Sequence, residues 1–187
     1  MPTGLALRAT LFVWLAVGVL PAAARGQELT QDEVLELAFP GAEFERHTAF
    51  LDEAQLERAL GLAGPDIEID SGIVTHYVAV QGGQVLGVAY FDAHRVRSQR
   101  EVLMIVVDLD DRIRRIETVA FREPREYQAP NSWLRQFDDR PLNDALSIKG
   151  AIAPITGATL TARAVTRAAR RVLALHEVID PFGETNR

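Results

Sequence analysis

Two hairpin signals between β-rich segments constrain the fold of this chain most strongly. Gly82 and Gly83 occupy the central positions of a tight turn, where the backbone needs positive φ. Asp110 and Asp111 mark a second turn after a nearly continuous apolar run, which is typical of a central strand. The predicted strands are 73–80, 85–91, 102–109 and 113–121. Successive hairpins predict an antiparallel sheet, because parallel strands would need long crossover segments between them.

Two helical patterns precede these strands. Residues 31–39 carry apolar side chains at helical spacing, and Thr30 with Glu33 forms a capping-box signature at their start. A second helix is expected at 53–60, with Gly61 as its stop.

The longest helical pattern, 160–174, lies near the carboxyl end of the chain. Arginines 163, 167, 170 and 171 are expected on its solvated side. Its predicted buried stripe consists of Leu160, Ala164, Val165, Ala168, Val172 and Leu173. The predicted class is therefore α+β, an antiparallel sheet of two hairpins flanked by helices, with a long C-terminal helix.

The amino terminus has the composition of a secretory leader. Arg8 precedes the apolar run 11–20, and Pro21-Ala22-Ala23-Ala24 supplies small residues for cleavage. The apolar run is shorter than the roughly 18 residues of a membrane-spanning helix. We therefore expect residues 1–26 to be a cleaved signal peptide, 27–180 to be one domain and 181–187 to be a flexible tail. This organisation predicts a periplasmic or otherwise exported protein.

Charge and cysteine content exclude several classes of function. The formal net charge is −6, so nucleic acid is not an expected partner, because its phosphates attract basic surfaces. The chain has no cysteine, which excludes disulfides and thiolate metal sites. The short basic run His94-Arg95-Val96-Arg97 is interpreted as a solvated loop, and the alternative is a site for an anion or an acidic partner.

A small, hydroxyl-rich turn leads directly into the predicted C-terminal helix. It reads Thr156-Gly157-Ala158-Thr159, followed by Leu160-Thr161. The start of a helix offers unpaired backbone N–H groups and the positive end of the helix dipole, so it is suited to a phosphate. Gly157 permits a close backbone approach, and Thr159 presents a hydroxyl. The simpler interpretation is that Thr159 is an ordinary helix cap.

This turn resembles the flavinylation signature of the FMN-binding domain family. That family includes flavin-carrying components of the Rnf electron-transport complex and of the sodium-pumping NADH:quinone oxidoreductase. The resemblance implies that Thr159 carries FMN through a phosphoester bond made by a FAD:protein FMN transferase. It also implies that Thr156, Gly157, Ala158, Leu160 and Thr161 help to bind the cofactor. Ala153 stands where the family usually has an aspartate.

A polar loop and a short helix before this turn resemble the family's flavin-facing loop. Residues 131–137 are expected to be helical, with Phe137 as a core residue. The resemblance implies cofactor-binding roles for Glu123, Tyr127 and Trp133, since an aromatic ring can stack on a flat ring system.

Three functions follow as expectations. The first is an exported electron-transfer flavoprotein with covalent FMN that exchanges electrons with a membrane-bound redox protein or complex. The second is a degenerate, non-redox binding module of the same fold, which Ala153 favours. The third is a flavin reductase that holds FMN without a covalent bond.

Overall fold

One five-stranded antiparallel sheet lies at the centre of residues 29–183, the part of the chain that the computed structural model describes. The expected signal peptide and residues 184–187 lie outside this part. The strands are β1 (Glu43–Phe50), β2 (Ile73–Gln81), β3 (Gln84–Arg95), β4 (Arg100–Val107) and β5 (Ile113–Phe121). The helices are α1 (Gln31–Ala38), α2 (Glu53–Ala63), α3 (Asn131–Leu134) and α4 (Thr159–Ile179), with 3-10 turns at Arg125–Tyr127 and Arg135–Phe137.

The sheet is a meander in which each strand pairs with the next one in the sequence. Gly82 and Gly83 have φ values of 60° and 79° and connect β2 to β3, as the turn signal predicts. The predicted α+β class, the antiparallel sheet and the long C-terminal helix are confirmed. Strand β3 extends to Arg95, beyond the predicted end at residue 91.

Strand β1 is absent from the prediction. It is an edge strand that pairs only with β2 among the described strands, and most of its side chains are exposed. Such a strand needs little apolar alternation, and charged residues protect its open edge from pairing with other molecules. Its sequence therefore carries almost none of the signal by which a half-buried strand is detected.

Both faces of the sheet are covered. Leu103 and Ile105 of β4 point into the larger core, which they share with Val165 and Val172 of α4. Met104, which lies between them in the sequence, points to the opposite face, where α1 packs. This alternation gives a three-layer arrangement in which β4 has almost no exposed surface.

Helix α2 runs through the position where the sequence suggested a stop. Gly61 lies inside the helix, and the chain turns at Gly64, whose φ is 105° and whose N–H donates to the Leu60 carbonyl. The prediction that Gly61 ends the helix is wrong, because a second glycine three residues later takes that role. The capping boxes at Thr30 and Asp52 are both formed.

Helix α4 is longer than predicted, and its buried stripe is shifted. Leu160 is 47% exposed, so its assignment to the stripe is wrong, and Ala164 is only partly buried. Ala162 and Ala169 are fully buried instead, because small side chains let the helix approach the sheet closely. No helix among residues 29–183 is both long and apolar enough to span a membrane.

The carboxyl end of α4 is anchored through a buried histidine. His176 Nδ1 lies 2.9 Å from the Tyr90 hydroxyl, and its Nε2 lies 3.0 Å from Asp111 Oδ1. Burial raises the pKa of Tyr90 well above its usual value, so the hydroxyl keeps its proton at neutral pH. Phe182, in the segment expected to be a tail, packs on the His176 ring and is 3% exposed.

Candidate functional site

The start of helix α4 is open and has no side-chain cap. Ala158 is the N-cap residue, and no side chain in residues 29–183 bonds to the first backbone N–H groups of the helix. The first helical bond runs from Ala162 N to Ala158 O, at 3.1 Å. The interpretation of Thr159 as the cap is therefore wrong: it is the first helical residue, and it is exposed. Most helices have Ser, Thr, Asp or Asn at the N-cap, and the side chain accepts a hydrogen bond from the first turn. Because Ala158 cannot do this, the N–H groups of the first turn remain available for a phosphate.

The turn before the helix leaves room for a bound group. Gly157 has a φ of 83°, and a Cβ atom added to it would meet no atom within 4 Å. Thr156 and Gly157 are exposed, whereas Ala158 is buried and fixes the turn against the protein. The residues present thus fit the phosphate end of FMN: a small open turn, unpaired N–H groups and an exposed hydroxyl.

Hydrogen bonds connect this turn, and the segment just before it, to the loop and short helix at residues 123–137. The Thr161 hydroxyl donates to the Tyr127 carbonyl at 2.6 Å. Trp133 Nε1 donates to the Ala153 carbonyl at 2.7 Å, and the Ala153 N–H donates to Gln136 Oε1 at 2.9 Å. Ala153 is therefore held by both of its backbone polar groups. The structure thus joins Thr161 to Tyr127, and Trp133 to the segment that precedes the turn.

Trp133 is a buried residue rather than part of an exposed surface. Its side chain is 9% exposed, and its ring contacts Phe137 edge-on with centroids 5.4 Å apart. Phe137 is fully buried, as predicted for a core residue. The Trp133 indole therefore positions the segment before the turn through its N–H group.

Glu123 orders the neighbouring loop between β3 and β4. Its Oε1 accepts hydrogen bonds from Ser98 N at 2.7 Å and from Gln99 N at 2.8 Å. These backbone bonds lower the pKa of the Glu123 carboxyl. The ordered loop carries Arg97, whose guanidinium lies 5.2 Å from the centroid of the half-buried Tyr127 ring. Glu123 and Tyr127 thus join the loop 96–99 to the α4 turn.

A buried cluster of four charged groups lies beside this loop. His94 bonds to Asp92 at 2.8 Å and to Glu101 at 3.1 Å, and Arg171 bonds to both oxygens of Asp92 at 2.8 Å. The expectation of a solvated loop at residue 94 is wrong, because β3 continues through it and pairs it with Glu101. The solvated face expected of the α4 arginines is also wrong for Arg171, and for Arg170, which donates to the Ala63 carbonyl at 2.7 Å.

The cluster shifts the ionisation of its members. Burial alone would lower the pKa of His94, but hydrogen bonds to Asp92 and Glu101 outweigh it and raise the pKa to about 9. Burial would raise the pKa of Asp92, but bonds from His94 and Arg171 lower it to about 2. The His94 imidazole and the Asp92 carboxyl are therefore both charged at neutral pH.

An open groove of about 560 Å³ lies between α4, the end of the β3–β4 hairpin and the loop 66–70. Its lining includes Leu160, which follows Thr159 directly. The hairpin and α4 contribute arginines 95, 100, 163 and 167 to the lining, and the loop 66–70 contributes Asp66, Glu68 and Asp70. The sequence does not predict this groove, because its walls come from three distant segments. A predicted third strand that continued to Arg95 would have placed His94 opposite Glu101 and so would have indicated their contact.

The described residues form an α+β domain with an open, uncapped turn at the start of its last helix. A family model described as the FMN-binding domain matches residues 71–174, from the start of β2 into α4. The chain belongs to this family and is a flavin-binding protein. The matched region contains the whole turn, Thr161, and the loop residues Glu123, Tyr127 and Trp133. Among curated proteins, none matches this chain.

Proposed function

We propose that this protein is an exported electron-transfer flavoprotein that carries FMN on Thr159 through a phosphoester bond. The observation that carries the proposal is the exposed Thr159 hydroxyl at the first position of a helix without a side-chain cap. The family match supports FMN as the ligand. A tether suits an exported protein, because a dissociated cofactor would be lost outside the cytoplasm.

The proposed attachment conserves atoms through a single exchange at phosphorus. A FAD:protein FMN transferase would break the phosphoanhydride bond of FAD, join the FMN phosphorus to Thr159 Oγ1 and release AMP. The hydroxyl proton leaves with the departing phosphate. The protein contributes an accessible hydroxyl and the backbone N–H groups of the first helical turn, which stabilise the phosphate charge.

Neighbouring residues would hold and orient the attached group. Arg163 lies one helical turn after Thr159 on the same face of α4, so its guanidinium would be within reach of a phosphate on Thr159. Leu160 and Tyr127 offer partly exposed apolar surface beside the turn. FMN supplies the redox chemistry when it is bound, and the chain supplies position and electrostatics.

Intact-mass measurement after co-expression with the transferase tests the attachment. The expected result is a gain of one FMN minus one water, which is lost in Thr159→Val and kept in the control Thr48→Val, which changes an exposed threonine on β1. An unmodified mass in the wild-type chain contradicts the proposal. Yellow colour that persists through denaturation separates a covalent flavin from the loosely bound FMN of a reductase.

The second candidate is a non-redox binding module, and Ala153 is the observation that favours it. Ala153 is exposed, so an aspartate side chain fits there without disturbing the two backbone bonds. Flavinylation of Ala153→Asp with none in the wild type would support this candidate.

Export is tested separately, by fractionating cells that express the full chain with a carboxyl-terminal tag.

A further inference from the structure

Five exposed arginines surround the start of α4, and we call them the basic rim. None of them forms an ion pair with a carboxylate within residues 29–183. Arg97 lies over the Tyr127 ring, and Arg95 donates to the Ser98 carbonyl. The basic rim consists of Arg95, Arg97, Arg100, Arg163 and Arg167. Such a concentration is unusual here, because the chain as a whole has a net charge of −6.

The basic rim is held in place by structure beneath it. Arg171, in the groove wall, is fixed by two bonds to Asp92, and His94 joins Asp92 to Glu101 across the β3–β4 hairpin. Glu123 fixes the loop that carries Arg97. The backbone that carries the rim arginines is therefore already ordered before a partner binds, so the entropy cost of docking falls on their side chains.

The groove also has an acidic lip. Asp66, Glu68 and Asp70 are exposed and line the same groove as four of the rim arginines. A uniformly anionic lipid surface would be attracted by one lip and repelled by the other. A protein surface can instead place carboxylates against the arginines and a basic group against the acidic lip.

We infer that the basic rim is the docking surface for the acidic face of a redox protein that exchanges electrons with the flavin. This inference rests on the proposed function, because it assigns the partner to the flavin end of the molecule. Charge complementarity would accelerate encounter and orient the partner toward Thr159. The partner's docking face is expected to carry a carboxylate cluster flanked by a basic residue.

The first test measures binding without any flavin, so that it does not depend on attachment. The probe is a small acidic blue-copper protein in its Cu(I) state, titrated into isotope-labelled Thr159→Val protein and followed by amide NMR shifts. We expect shifts concentrated around Arg95–Arg100 and Arg163–Arg167, and affinity that falls about tenfold when salt rises from low to physiological strength. A small basic haem protein should bind more weakly.

Charge reversal then locates the surface. Arg100→Glu with Arg167→Glu should weaken binding of the copper protein at least tenfold. The control, Arg46→Glu with Arg58→Glu, makes the same change in net charge at the sheet edge and near the far end of α4, and should change affinity less than threefold. Equal effects of the two pairs, or shifts away from the basic rim, overturn the inference. The inference is also overturned if the protein binds phosphatidylglycerol vesicles through the basic rim but does not bind the copper protein. That result would identify a membrane as the partner of the rim.

The second test uses the flavinylated protein in stopped-flow kinetics. One reduced flavin should deliver its two electrons to two Cu(II) centres, with protons released to water. The double variant Arg100→Glu with Arg167→Glu should slow this reaction at least tenfold. A protein that fails to take up flavin contradicts the proposed function but leaves the binding test intact. If the copper protein binds at the basic rim but the double variant transfers electrons as fast as the wild type, the inference is contradicted and the proposed function is not.

Discussion

Thr159 shows how much one position in a helix can determine. As an N-cap residue, its hydroxyl would be occupied by the backbone of the helix; as the first helical residue, it is exposed and free to react. Sequence alone leaves both interpretations open, because Thr is common at either position. The distinction depends on Ala158, which occupies the N-cap position although its side chain has no group that can accept a hydrogen bond.

Arg163 follows Thr159 by four residues on α4, so we expect it to help neutralise a phosphate there. Arg163→Gln should lower the rate of flavinylation several-fold, because one positive charge near the developing phosphoester is lost. The measurement is the time course of the mass gain with purified transferase. Arg167→Gln, one turn further along the helix, is the matched control and should have little effect. Equal rates for Arg163→Gln and the wild type would exclude this role.

Gly157 adopts a backbone conformation that other residues disfavour. Gly157→Ala should destabilise the fold by about 1 kcal/mol through its positive φ alone, since the added methyl group meets no neighbour. The expected fall in Tm is roughly 3 °C, measured by thermal unfolding. Gly61→Ala is the control: it lies inside α2, also in open space, and should raise stability. A Gly157→Ala protein as stable as the wild type would show that the turn relaxes.

At the scale of elements, local signals were predictable and distant pairings were not. Gly82-Gly83 and the Thr30 capping box are encoded within four residues, and both form as predicted. The contact between Glu123 and Ser98 joins residues 25 positions apart, so no spacing in the sequence reveals it. The groove is lined by three segments that are far apart in the sequence, so no local pattern predicts it. The Thr156–Thr161 turn is contiguous and is therefore visible in the sequence.

The contact between the β3–β4 hairpin and α4 should depend on pH through His94. Its folded-state pKa, about 9, lies above the ordinary value of 6.5. The stabilisation is therefore fully present below pH 6.5 and is lost as pH rises through 9. Asp92, with a pKa of about 2 against 3.8, contributes above pH 3.8 and loses its contribution as pH falls through 2.

Urea unfolding of the wild type and His94→Gln measures this effect. The variant should be less stable at pH 6 by roughly 3 kcal/mol, and the difference should shrink markedly at pH 9.5. His47→Gln, on the exposed edge strand, serves as the control and should change stability little at either pH. A difference between wild type and His94→Gln that is the same at both pH values would refute the assignment.

At the scale of the whole molecule, helix α4 connects the site to the rest of the fold. Its first turn holds the candidate flavin site, Arg171 in its middle bonds to β3, and His176 near its end bonds to Tyr90 and lies against Asp111. The family match begins at residue 71, so α1, β1 and α2 lie before it. Of these, α1 covers the sheet face opposite α4, and β1 covers one edge.

The missing cap at the start of α4 has a consequence for the lifetime of the protein. A bare helix end lacks the stabilisation of roughly 1 kcal/mol that a capping side chain ordinarily supplies, and a bound phosphate would restore it. Molecules that have received their prosthetic group should accordingly melt a few degrees higher than bare ones in differential scanning calorimetry. Proteases that degrade opened chains would then remove the bare molecules first, and the surviving pool would be enriched in those able to work.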